Sequence, residues 1–196
     1  NWGVCGTFTG NWDVTASMAM TALGDGWYVL ENVEIYKDDE FKFVIDKGWS
    51  NSLGAERAVL TAETGKEYAL TSTNSQNIKV NKNGRFTISL NPTDKKFKVE
   101  CVEEYSDLTV NITIDNKANW SPLYIYLESD GTAITPAEGA LVSNTTYAVS
   151  GNYIGSTLTC KFLSGSKVSE IMNVAITKNG ATVTLEETII KLKVQL

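Results

Sequence analysis

Residues 39–55 read DEFKFVIDKGWSNSLGA, and the first seven of them decide the fold class. Phe41, Phe43 and Ile45 alternate with Lys42 and Val44. That period of two puts three large apolar side chains on one face of a β-strand and turns Lys42 to the other. An Asp46-Lys47-Gly48 turn signal follows, and then Trp49 stands in a polar stretch beside Asn51. No periodicity there asks for a large aromatic, so the segment predicts a core strand followed by a loop-borne tryptophan.

The same habit extends in both directions. WGVCGTF (2–8), GWYVLENVEI (26–35), EYALTST (67–73), NIKV (77–80), RFTISL (85–90) and KFKVECV (96–102) carry β-branched or aromatic residues between Gly, Asn, Asp and Pro turn signals. No segment has a sustained helical period; AERAVLTAE (55–63) fits a turn of helix or a strand equally well. After the polar interruption at Glu103–Asp107 the pattern restarts with LTVNITI (108–114), LYIYLES (123–129), TYAVSG (146–151), TLTCKFL (157–163), VAITKNG (174–180) and ATVTLEE (181–187). Regularly spaced short strands predict an all-β fold of two tandem immunoglobulin-like sandwiches, residues 1–104 and 105–196, each near the roughly 100 residues that close such a core. KNG turns in NKNGRFTISL (81–90) and TKNGATVTL (177–185) are expected to close hairpins.

Composition excludes several functions. A formal charge of −6 across 196 residues disfavours a nucleic-acid partner, whose phosphates need clustered Lys and Arg. No apolar run approaches the roughly 20 residues of a membrane-spanning helix. Histidine is absent, which removes the commonest general base and metal ligand, and no cofactor or metal site is expected. Cys5, Cys101 and Cys160 form no metal or redox motif and are expected as buried thiols, with a Cys5–Cys101 bridge as the alternative. The chain opens on Asn1 with no signal peptide, so a processed product or an excised piece is expected. Glycoside hydrolysis needs two carboxylates about 5–10 Å apart. The densest acids, Asp38-Asp39-Glu40, Glu103-Glu104 and Glu186-Glu187, sit at strand ends and turns and read as solvated charge. No GxSxG, HExxH, P-loop or EF-hand motif occurs, and a non-catalytic protein is expected.

What remains is aromatic. Trp27, inside a strand pattern, is expected to be mostly buried, whereas Trp12 in GTFTGNWD (6–13) and Trp49 each follow a turn signal in a polar setting. A pyranose ring offers a face of C–H groups and an edge of hydroxyls. Flat indoles suit the face, and the donors of Lys42 with the amides of Asn51 and Asn77 suit the edge. In the second half, NKANWSPLYIYLESDGTAITP (116–136) puts Tyr124 and Tyr126 on one strand face near Trp120, with Leu123, Ile125 and Leu127 on the other. Both faces are apolar, so alternation leaves open which one is core.

The run GTFTGNWD, Met20, GDGWYVLENVEI, DEFKFVIDKGWSNSLGA, NSQNIKV and GRFTISLNP, from about Trp2 to Val102, resembles the starch-binding modules of the SusE/SusF family of Bacteroidetes outer-membrane lipoproteins. It is more distantly similar to the glycogen-binding domain of AMP-activated kinase β subunits. The resemblance implies that Trp12, Lys42 and Trp49 hold an α-glucan, with Asn51 and Asn77 as hydrogen-bonding neighbours. It further implies a cell-surface lipoprotein working beside other outer-membrane glycan-uptake proteins, its lipid anchor outside this chain. Leu53 departs from the pattern, which carries an aromatic there, and TGNW has one more residue than the kinase-type NNW. The second half weakly resembles the family 25 and 26 starch-binding modules through Trp120, Tyr124, Tyr126 and CKFLSGS (160–166). The alternative is a structural or adhesive β-sandwich protein that binds another protein through the same aromatics.

Overall fold

The structure, a computed structural model, describes residues 1–186. The chain is all-β and divides into two compact units, Asn1–Leu108 and Thr109 onward. Among the described residues the helical segments are two three-residue 3-10 turns, Val14–Ala16 and Gly151–Tyr153. Glu187, named above with Glu186, lies outside the described residues.

The strands of the first unit are β1 (Trp2–Gly6), β2 (Met18–Ala19), β3 (Thr21–Ala22), β4 (Tyr28–Ile35), β5 (Phe41–Ile45), β6 (Gly48–Leu53), β7 (Leu60–Ala62), β8 (Glu67–Ala69), β9 (Ile78–Val80), β10 (Gly84–Asn91) and β11 (Lys96–Glu104). One sheet runs β2-β1-β5-β9-β7 with β6 also on β5, and the other runs β3-β4-β10-β11-β8. Residues 56–58 form bends rather than helix, and Leu60 opens β7.

Between the sheets lies one apolar cluster. β5 contributes Phe41 and Phe43, β10 contributes Phe86, Ile88 and Leu90, and β11 contributes Phe97 and Val99, all with no exposed surface. Phe97 reaches across to both β5 rings, with centroids 6.5 Å from Phe41 and 5.6 Å from Phe43, and stacks on Tyr68 at 5.6 Å. Each such buried ring removes apolar surface worth about 1.5–3 kcal/mol from water. The alternation read from FKFVI holds for Phe41, Lys42 and Phe43, with Lys42 on the outer face, whereas Val44 is fully buried and Ile45 is only partly buried and outside the core cluster.

The second unit has β12 (Thr109–Asn116), β13 (Tyr124–Ser129), β14 (Thr132–Ala133), β15 (Ala140–Leu141), β16 (Thr146–Ser150), β17 (Thr157–Ser164), β18 (Lys167–Val168), β19 (Met172–Ala175) and β20 (Ala181–Leu185). One sheet is β16-β12-β20, and the other is β14-β13-β17-β18, with β15 on β13 and β19 on β17. Leu123, Ile125 and Leu127 are buried with Ile112, Ile114, Leu158 and Phe162, so Tyr124 and Tyr126 take the outer face of β13.

The expectation for the KNG turns is corrected. β9 and β10 belong to different sheets, as do β19 and β20, so each KNG carries the chain from one sheet to the other instead of closing a hairpin. Close approach of backbone requires both glycines: a Cβ on Gly84 would lie 2.2 Å from Glu103 O, and one on Gly180 2.2 Å from Asn111 O. The three cysteines are free. No Cys5–Cys101 bridge forms, because Cys5 pairs with Lys42 on the outward side of its sheet while Cys101 belongs to β11 of the other sheet. Cys101 is also only partly buried, and burial pushes the Cys160 thiol up to about 12.

Candidate functional site

The outer face of the first sheet is built by two left-handed turns. Beyond β1 the chain curls so that Thr9 N and Trp12 N both donate to Gly6 O, at 3.1 and 2.9 Å, and Asn11 N donates to Thr7 O at 3.2 Å. Gly10, Asn11 and Trp12 follow one another at φ 73, 55 and 71°. Glycine and asparagine adopt this region readily, whereas tryptophan does so at a cost of about 1–2 kcal/mol. Strained residues cluster at functional sites, which makes Trp12 a candidate. At β5, Asp46 and Lys47 (φ 49 and 54°) form the two-residue turn that reverses the chain into β6.

Trp49 therefore stands in strand β6 and not in a loop, a correction that follows from this turn, which resumes pairing at once with Gly48 opposite Ile45. The two turns meet. The Trp12 and Trp49 ring centroids are 6.0 Å apart with the planes inclined at 44°, and Trp49 remains 40% exposed. Lys47 Nζ donates to Thr15 O at 2.9 Å, tying the β5–β6 turn to the 3-10 turn that follows Trp12. Asp13 caps that turn, accepting from Thr15 N at 2.9 Å and Thr15 Oγ1 at 2.7 Å, and these bonds hold its carboxyl below the usual range. Leu53 is buried in the core cluster, so no third ring is added at the position where the sequence departs from the family pattern.

Lys42 and Asn77 share this outer face. Pairing of Phe41 with Ile78 sets Asn77 opposite Lys42. Lys42 Nζ donates to Ser75 O at 2.5 Å, and burial lowers its pKa. One of its three donors is thus used. Asn77 Nδ2 donates to Glu40 Oε2 at 2.5 Å, and Glu40 also pairs with Lys79 at 3.2 Å. Asn51 is exposed, two residues along β6 from Trp49. Asp39 is buried, accepting from Thr7 Oγ1 at 2.7 Å and Tyr36 N at 3.0 Å, so two acids of the Asp38-Asp39-Glu40 run hold the scaffold together. The Lys47–Thr15 tie and the Ser75 carbonyl were not singled out from sequence; the Asp-Lys-Gly turn was the available signal for the first.

In the second unit the rings are not brought together in the same way. Trp120, Tyr124 and Tyr126 make no ring contact with one another among the described residues. Lys167 Nζ lies 5.6 Å over Trp120 and Lys161 Nζ 4.7 Å over Tyr126, whose hydroxyl donates to Glu128 Oε2 at 3.2 Å. Asn116 holds the Trp120 backbone from both sides, accepting from its N–H at 3.1 Å and donating to its carbonyl at 2.9 Å. A cavity of about 300 Å³ lies beside Trp120, lined by Pro122, Leu123, Leu141 and Val142.

Trp27, read within a strand pattern, is corrected in its element, since it stands just ahead of β4. It is half-buried, lies outside the core cluster, and has Lys96 Nζ and Lys98 Nζ 5.3 and 5.9 Å from its ring centroid. It lies just ahead of β4, where Tyr28 packs inward, and the lysines on the outward side of β11 lie over its ring, so the indole is on the outer side.

No family model and no curated protein matches the chain. Among solved structures the chain is similar to SusF from Bacteroides thetaiotaomicron, at 14% sequence identity and a TM-score of 0.41, over 93% of this chain and 47% of that one, so that it spans about half of that chain's length.

Proposed function

We propose that the first unit binds a neutral α-1,4-linked glucan of the starch type on its Trp12–Trp49 face, without catalysis. The observation that carries this reading is the pair of indoles 6.0 Å apart and inclined at 44°. Successive rings of an α-1,4-glucan turn relative to one another, and an inclined pair matches that curvature where a coplanar pair would match a flat, extended β-1,4 chain. Lys42, Asn51 and Asn77 supply polar groups around the platform. The resemblance of residues 2–102 to SusE/SusF modules points the same way and extends the reading to a bacterial outer-membrane, surface-exposed lipoprotein of polysaccharide utilisation, acting beside other glycan-uptake proteins. Trp120, Tyr124 and Tyr126 form the candidate glycan surface of the second unit.

The test is calorimetric titration of the chain with maltoheptaose and with cello-oligosaccharides of equal length. A shallow stacking face should bind the α-linked chain with a Kd of roughly 10⁻³ to 10⁻⁵ M. Affinity should be the same at 50 and 500 mM salt, because the ligand carries no charge to screen. Equal heats from both ligands would remove the curvature argument. Lys42→Ala should weaken binding about three- to tenfold and leave it measurable, since the amine contributes a hydrogen bond and the stacking surface stays in place.

A further inference from the structure

The second sheet of the first unit carries an aromatic surface of its own. Trp27 is fixed just ahead of β4: its carbonyl accepts from Leu23 N at 2.9 Å, and its N–H donates to Asp25 Oδ1 at 3.1 Å. Pairing of Tyr28 with Leu90 brings Trp27 beside Asn91, and on the other side of β10 Ser89 faces Lys98 and Asn91 faces Lys96. Leu90 and Phe97 point into the core, so Trp27, Ser89, Asn91, Lys96 and Lys98 belong to the outward side. Ser89 and Asn91 are nevertheless only 9% and 7% exposed. That is the burial expected beneath an indole lying across β10 toward the two lysines.

Lys96 Nζ and Lys98 Nζ lie over the ring of this indole, at 5.3 and 5.9 Å from its centroid, and carboxylates stand beside them. Lys96 pairs with Glu67 at 3.3 Å and with Asp94 at 3.8 Å, Asp94 is anchored by Asn91 Nδ2 at 3.1 Å, and Lys98 has no ion pair among the described residues. Two ammonium groups face two carboxylates. An anionic ligand would meet Glu67 and Asp94, and a cationic one Lys96 and Lys98, so neither gains from the patch. A neutral ring rimmed by hydroxyls gains from donors and acceptors alike.

We propose that Trp27, flanked by Lys96 and Lys98, is a second saccharide-stacking site of the first unit, on the sheet opposite the Trp12–Trp49 face, taking a neutral sugar ring of the same glucan. This rests on the reading of that face as glucan-binding. Two sites on opposite sheets let one unit join two glucan strands, or two turns of one, and raise the apparent affinity for a polymer through effective concentration.

The test follows the five indole N–H signals of the full chain by two-dimensional nitrogen–proton NMR during titration with maltoheptaose, assigned with Trp27→Phe and Trp49→Phe. The Trp27 signal should move to saturation in the wild type and equally in Trp49→Ala, and Lys98→Ala should raise its half-saturation concentration roughly three- to tenfold. A Trp27 signal that stays fixed while the Trp49 signal moves overturns the second site and leaves the first. Movement of Trp27 with Trp49 fixed supports the second site and overturns the reading of the first. If neither moves, both are wrong.

Discussion

Trp49→Ala is expected to reduce maltoheptaose binding at the Trp12–Trp49 face below detection while the fold survives. Truncating the central aromatic of a small site costs about 2–3 kcal/mol, which is roughly 30- to 150-fold, and a site starting near 10⁻⁴ M then falls outside the calorimetric range. The fold should tolerate the change because Trp49 is 40% exposed and stands outside the core cluster. Surface substitutions of this kind shift stability by about 0.5 kcal/mol. Trp49→Phe should keep part of the binding, since a smaller flat ring remains. Calorimetry beside urea unfolding of the same proteins separates the two effects. Heats from Trp49→Ala equal to those of the wild type would mean that the glucan binds elsewhere on the chain and would overturn the reading of the Trp12–Trp49 face.

Much of this site was legible because strand alternation is a strong local rule. Phe41 and Phe43 against Lys42 set the outer face from five residues of sequence, and the turn signals marked Trp12 and Trp49 as candidates. The meeting of the two rings was not legible from residue types. It depends on three consecutive left-handed residues ending on Trp12, and a tryptophan in that region carries no compositional signature. The secondary structure of Trp49 was misread for a related reason: a two-residue turn at Asp46-Lys47 needs only φ above zero at both positions, so β6 begins before any loop has room to form. Trp27 shows the converse limit. It stands just ahead of β4 instead of within the strand pattern, and the side it faces depends on the pairing of Tyr28 with Leu90 and on the lysines of β11, nearly 70 residues away in the chain. The KNG turns were misassigned because a tight glycine turn looks the same in sequence whether the next strand returns to its own sheet or crosses to the other.

Phe97→Ala is expected to give the largest loss of stability, because its ring is where the two sheets of the first unit meet. β11 presents Phe97 to Phe41 and Phe43 of the facing sheet and to Tyr68 of β8, at centroid distances of 6.5, 5.6 and 5.6 Å. Removing a fully buried phenyl ring costs about 3–5 kcal/mol, from lost transfer free energy and from the cavity left among neighbours that relax only in part. A unit of about 100 residues has about 5–15 kcal/mol in total, so the variant approaches the edge of folding. The melting temperature should fall by about 12 °C or more. Phe97→Leu keeps most of the volume and should cost less than half as much. Four of the five tryptophans lie in the first unit, so fluorescence-detected urea unfolding reads mainly this region. Glucan binding by the part of Phe97→Ala that stays folded should match the wild type, because Phe97 faces the core while Lys42 is on the far side of β5 and both indoles stand outside the core cluster. A loss below 1 kcal/mol would mean that the aromatic cluster between the sheets is not the centre of the core. A folded variant that no longer binds would mean that β5 transmits core packing to the site.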